Sequence, residues 1–185
     1  MAGYRLWYRV QSKLFSLLSS RAFASFGRRS VIQPPIRLSG EGRISIGVDV
    51  FVGAGCWLQV LNGPEDGVGL EIGDGTSLAG NCVISAAKSV SIGRKVLIAR
   101  GAYIADHGHA YEDARVPVMD QGITKVNRVE IADGAWLGEN VVVGPGVRIG
   151  RGAVIGANAV VLRDIPDYSV AVGIPARVIR ASSDS

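Results

Sequence analysis

Cysteine is scarce in this chain of 185 residues: Cys56 and Cys82 are the two it has, with no metal-type spacing between them. Two thiols in a chain of this length do not make a disulfide framework, so a reducing, cytoplasmic setting is expected. Charged residues are few, at 19%, and aromatics fewer, at 6%, against 48% hydrophobic residues and 25 glycines. That balance argues against disorder and leaves β-branched and small residues to fill one sizeable core. Acids are missing from the first forty residues, which carry Arg5, Arg9, Lys13, Arg21, Arg28, Arg29 and Arg37. Long apolar runs are missing there too, which speaks against a cleaved signal peptide or a transmembrane helix. Histidine is almost absent, and both copies, His107 and His109, fall in one polar stretch, "YIADHGHAYED".

What is present is a beat of six. Aliphatic residues recur at Ile131, Leu137, Val143, Ile149, Ile155 and Val161, and glycine follows four of them. Two places before each anchor stands a smaller residue, among them Ala135, Ala153 and Ala159. The beat also runs through Ile46, Val52 and Leu58, stops at "NGPEDGVG", and resumes at Ile72, Leu78 and Ile84. Two extra residues shift it to Ile92, Ile98 and Ile104. Cys56 and Cys82 occupy the small slot and read as packing residues.

A period of six is neither helical nor a long simple alternation. It suits strands of a few residues joined by tight corners that need small residues. One hexad cannot bury its own anchor, so successive turns must stack, with parallel strands about 4.8 Å apart and the anchors in an interior column. The pattern therefore predicts a parallel β-helix of about four to five turns, three hexads to a turn. An antiparallel sandwich would instead space its turn signals by roughly eight to twelve residues.

The stretch "WLGENVVVGPGVRIGRGAVIGANAVVLRDIP", with "GIPARVI" after it, resembles the hexapeptide-repeat acyltransferases, whose coils are left-handed parallel β-helices. The resemblance runs from about Gly42 to Ile179. It supplies the handedness, which spacing does not; right-handed crossovers are the general rule. Within the family, "VLIARGAYIADHGHAYEDARVPVMDQG" is similar to bacterial O-acetyltransferases of capsule, lipopolysaccharide and exopolysaccharide synthesis. The N-terminal helical module of relatives that acetylate maltose or galactosides is not recognisable, which counts against small-sugar acceptors. The resemblance implies a homotrimer, acetyl-CoA as acyl donor in the groove between neighbouring coils, a saccharide acceptor, and neither metal nor nucleic acid.

Between Ile104 and Ile131 the beat is silent, and His107 and His109 stand near the start of that excursion. Long excursions from a compact repeat are often functional. Transfer of an acetyl group to an alcohol needs a base to take the hydroxyl proton, and neutral imidazole suits that work near neutral pH. Ungapped alignment of "VLIARGAYIADHGH" on the sugar acetyltransferase pattern puts His109 on the family's base, and His107 fits after a shift of two. Asp106 and Asp113 are candidates for orienting an imidazole or touching substrate. Without the repeat, His-x-His would read as loop decoration. The three-histidine zinc site of γ-class carbonic anhydrases, which share the coil, asks for more ligands than two.

The resemblance assigns the coenzyme's phosphates to Arg163, Arg177 and Arg180, whose planar forks suit phosphate, and its pantetheine arm to Trp136. Gly138 and Ala157 would let the coenzyme approach the backbone, although corner geometry accounts for them equally. The opening "YRLWYRVQSKLFSLLSS" sets Leu6, Val10, Leu14, Leu17 and Leu18 at helical spacing, with Arg5, Arg9 and Lys13 along another face. Such a helix either caps the open end of the coil with its apolar face or contacts the inner membrane peripherally. The expected organisation is a basic arm over residues 1–40, a β-helix over 41–166 with an excursion over about 105–128, and a C-terminal extension over 167–185. Amino-sugar N-acetylation and a non-catalytic trimeric scaffold are the rival functions.

Overall fold

Stacked turns are what the six-residue anchors require, and a computed structural model of the chain has them. It describes residues 2–61 and 67–181, with side chains from Trp7 onward. Most of the interruption at residues 62–69 lies outside the described residues. Three parallel sheets form the faces of a prism. The first stacks Ser25–Phe26, Ile44–Ile46, Leu70–Ile72, Val90–Ile92, Val129–Ile131 and Arg148–Ile149. The second runs from Val31–Ile32 through Phe51–Val52, Ser77–Leu78, Leu97–Ile98, Trp136–Leu137 and Val154–Ile155 to Val170–Val172. The third holds Arg37–Ser39, Trp57–Val60, Val83–Ala86, Tyr103–Ala105, Val142–Val143 and Val160–Val161.

Register puts each anchor on the anchor of the next turn. Ile46 pairs with Ile72, Ile72 with Ile92, Ile92 with Ile131 and Ile131 with Ile149, and each is at most 1% exposed. The small slots fill the space between columns: Cys56, Cys82, Ala102, Ala135, Val141, Ala153 and Ala159 are all sealed from solvent. Both thiols are free. The hydrogen bond with Cys82, together with burial, pushes the Cys56 thiol well above its ordinary value.

The coil is longer than the sequence suggested. Six turns are complete, and Ile165, bridged to Ile149, opens a seventh. The first turn lies within the stretch read as an arm: Phe26, Ile32 and Leu38 are spaced by six, and their strands pair with Ile44–Ile46, Phe51–Val52 and Trp57–Val60. The β-helix thus begins near Ser25 rather than at residue 41. At the other end it passes residue 166, because Val170–Val172 pairs in parallel with Val154–Ile155 and Arg177–Arg180 folds back antiparallel along it.

The breaks in the beat share one place. Anchors jump from 38 to 46, 58 to 72, 84 to 92 and 104 to 131, always where the chain turns from the third face to the first. An insertion there leaves both flanking strands in register, whereas one inside a face would shift a column out of the core.

The N-terminal helix, Ala2–Ser19, lies over the first turn. It does cap, but with a different face from the one expected. Ser12 and Ser16 are buried, and Phe15 packs against the core. Ser16 Oγ accepts from the Ile32 amide at 2.8 Å, and Tyr8 donates its hydroxyl proton to the Pro34 carbonyl at 3.1 Å. The first turn has exposed main-chain donors, and a slim serine both approaches closely and satisfies one. Val10, Leu14, Leu17 and Leu18 point outward; the side chains of Arg5 and Leu6 lie outside the described residues. No helix among the described residues is long and apolar enough to cross a membrane.

Because the anchors form continuous columns, deleting one leaves a void that the turns above and below cannot close. Ile98→Ala, at a side chain wholly sealed from solvent, should lower the unfolding free energy by about 2–5 kcal/mol in urea titration.

Candidate active site

The residue that organises the excursion is Asp106, fully buried where the chain leaves the third face. Its Oδ1 accepts from the Ala87 amide and its Oδ2 from the Lys88 and Ser89 amides, each at 2.7 Å. Those amides belong to the lengthened corner of the turn beneath, the one carrying the two extra residues. The Asp106 carbonyl accepts the Asn127 amide at 2.8 Å, which closes the base of the excursion. Three main-chain donors make this carboxylate an anion clamp between two successive insertions. Of the two roles expected of Asp106, orienting an imidazole or touching substrate, the contact to His107 supplies the first.

His107 sits beside the clamp. Its Nδ1 is 2.8 Å from Asp106 Oδ1, and its Nε2 is 3.4 Å from Ser85 Oγ. An ionised carboxylate only accepts, so Nδ1 donates to Asp106, and Ser85 holds the Nε2 side of the ring. Ser85 Oγ in turn accepts from Gln59 Nε2 at 2.6 Å. Gln59, Ser85 and Ala105 occupy matching places on successive turns. Ser85 and Gln59 were missed in the sequence because each is one polar residue in an apolar strand; only the turn-by-turn register brings them under the histidine.

His109 is different. It lies on a short antiparallel pair, Gly108–His109 with Ile123–Thr124, that gives the excursion its own rigidity. Its ring is exposed and makes no hydrogen bond among the described residues. The two histidines are thus neighbours in sequence and opposites in environment. Asp113 orients neither of them. The Arg115 guanidinium, 3.0 Å away, holds the Asp113 carboxyl below the usual carboxylate range. Gln121 ties the same loop by donating to the Asp113 and Val116 carbonyls.

Trp136 is half exposed on the second face, in register with Leu97 of the turn below. A Cβ added at Gly138 would lie 2.6 Å from the Ala157 amide nitrogen, so the close approach there is made by the next turn of the coil. Arg163, Arg177 and Arg180 are exposed, with no carboxylate partner among the described residues. Arg177 and Arg180 share the fold-back strand on the second face, while Arg163 follows the last strand of the third. None of these residues lines a cavity of about 670 Å³ at the edge between first and second faces, where Arg94, Lys95, Arg151 and Tyr168 gather. No sequence signal marks that cluster, because its members come from corners of different turns. Among the described residues no group of three His, Cys, Asp or Glu side chains is placed to hold a metal ion.

Comparison with known proteins accords with this geometry. Residues 128–163 match the family model for the bacterial transferase hexapeptide (six repeats), and residues 69–105 match the hexapeptide repeat of succinyl-transferase. The Escherichia coli K12 protein WbbJ, named for lipopolysaccharide biosynthesis O-acetyl transfer, is 35% identical over 81% of this chain and 78% of its own length. The galactoside O-acetyltransferase of the same strain is 34% identical over 90% of this chain and 68% of its own length. Rv3034c of Mycobacterium tuberculosis, named as an acetyltransferase, is 44% identical over 60% of this chain, and the match spans 37% of that protein. The acetyltransferase VCA0836 of Vibrio cholerae, solved with acetyl coenzyme A, superposes with a TM-score of 0.66 at 27% identity, covering 91% of this chain and 76% of that one. The chain belongs to the hexapeptide-repeat acetyltransferase family, and its fold is that family's left-handed parallel β-helix.

Removing the clamp strands the Ala87, Lys88 and Ser89 amides. Asp106→Ala should cost about 3 kcal/mol or more in urea titration, with amide exchange faster at those three residues.

Proposed function

We propose that this protein transfers the acetyl group of acetyl-CoA to a hydroxyl of a saccharide, a cell-surface polysaccharide or its lipid-linked precursor, with His109 as general base. The observation that carries the reading is the Asp106 clamp: a saturated carboxylate fixes the exit of the excursion, and three residues further on an imidazole stands exposed and uncommitted. His107 has both ring nitrogens engaged and its side chain is only 7% exposed, which suits the role of support. The donor brings an activated thioester. The acceptor oxygen bonds to the thioester carbonyl carbon while His109 takes the hydroxyl proton, the carbon–sulfur bond breaks, and the proton passes to the departing thiolate. Tight placement of both substrates by the rigid coil supplies the remainder of the rate. The described residues fit such a donor. Arg163, Arg177 and Arg180 are cations without acidic partners, and Trp136, Leu97, Leu162 and Ile174 are exposed apolar side chains for its arm.

The working form is a cytoplasmic homotrimer. Outward columns of the three faces differ in kind: the first carries Ser45, Glu71, Ser91, Glu130 and Arg148, the second Phe51, Ser77, Leu97, Trp136 and Val154, the third Arg37, Trp57, Val83, Tyr103 and Val142. Two adjacent faces whose outward columns are mostly apolar are surfaces for association. If the second face of one copy meets the third face of the next, the histidine edge lies beside the neighbour's edge between first and second faces.

Purified His109→Ala should lose about 10²–10⁴-fold in kcat with little change in KM for acetyl-CoA; the larger loss in His107→Ala would move the base to His107. Turnover confined to amino sugars, in an assay that also offers hydroxyl-only acceptors, would replace O- by N-acetylation. A protein that neither binds nor slowly hydrolyses acetyl-CoA would be the scaffold instead. Light scattering should give a particle of about three times the 19.4 kDa chain mass, and Leu97→Asp should lower it.

A further inference from the structure

We propose that the outward side of the N-terminal helix, together with the basic cavity at its foot, docks the protein on an anionic phospholipid surface. This is independent of the acetyl-transfer reading. The helix is already fastened to the coil through Tyr8, Ser12, Phe15 and Ser16. On its opposite side Trp7, Val10, Leu14, Leu17 and Leu18 form a stripe at spacings of three and four, 52–73% exposed. An apolar stripe left over after the capping contacts are made has no use in water and marks a partner.

The neighbouring charge says which partner. Arg9 and Lys13 flank the stripe and are exposed, and Arg21 follows at the end of the helix. Lys13, Ser16, Leu17 and Ser20 also form one wall of a cavity of about 490 Å³, whose other wall, the first corner of the coil, brings Arg28 and Arg29. Asp49 pairs with Arg29 and also lies within the field of Arg28, so Lys13, Arg28 and Arg29 together outnumber it and leave net positive charge to face an anion. The cavity has a cationic interior and an apolar lip at Leu17. A phosphodiester headgroup matches it with its acyl chains along the stripe. A second copy of this chain is a poor occupant, because it would bring a helix of the same charge; the first forty residues contain no acid. A free saccharide has no need of five apolar side chains.

The test is flotation of the full chain with phosphatidylcholine vesicles, with and without phosphatidylglycerol. Binding is expected to the anionic vesicles only and to weaken as salt rises. Leu14→Asp with Leu17→Asp should reduce it about ten-fold or more, and Lys13→Gln or Arg28→Gln about five-fold each, with circular dichroism and acetyl-CoA-dependent turnover unchanged. No binding by the unaltered protein, equal binding by the double variant, or a smaller assembly of the double variant in light scattering would each overturn the proposal. Absence of turnover in every variant would count against the acetyltransferase reading alone, since flotation is read without it.

Discussion

Main-chain hydrogen bonding between successive turns is the constraint on which everything else here rests. Each inner strand of a face pairs above and below with strands from other turns, so each face must keep its register through the whole coil. The chain can then lengthen only at corners. Four of the departures from the six-residue beat fall at a single edge, and that edge carries the excursion with both histidines. A repeat that tolerates no variation in its faces concentrates variation, and with it chemistry, on one line down the prism.

The clamp at Asp106 shows how such an edge is made rigid. A lengthened corner has main-chain amides with no strand to pair with, and a long loop has an entrance that must be fixed. One carboxylate answers both needs, taking the amides of Ala87, Lys88 and Ser89 while its own carbonyl holds Asn127. The insertion in one turn thereby positions the insertion in the next. His107, bonded to the same oxygen as Ala87, is part of this joint, and His109 projects beyond it. Two residues of the same type have been separated into a buried support and an exposed ring by the corner at which the chain turns away from the face.

Much of the fold was legible because the anchor spacing is a property of the chain itself. Ile131 to Val161 keep the interval without a break, and their burial in columns follows from it. The first turn was overlooked, although Phe26, Ile32 and Leu38 keep the same interval, because the basic residues around them gave the stretch the look of an arm. The apolar face of the helix was expected to do the capping; the orphan amide of Ile32 instead selected Ser16, a preference for hydrogen bonding over area that a hydrophobic pattern does not reveal. Asp106 kept two readings in the sequence for a similar reason, since a loop aspartate and a buried clamp are the same letter.

The chain alone therefore determined the coil, the size of its turns, the interior columns and the location of the histidine excursion, because all four are consequences of which residue types follow one another at short range. Which side of the helix faces the protein, which carboxylate is saturated, and which polar residues lie beneath His107 were decided by the tertiary structure. Those outcomes depend on partners from other turns, 16 or more residues away, that meet only when the stack has formed.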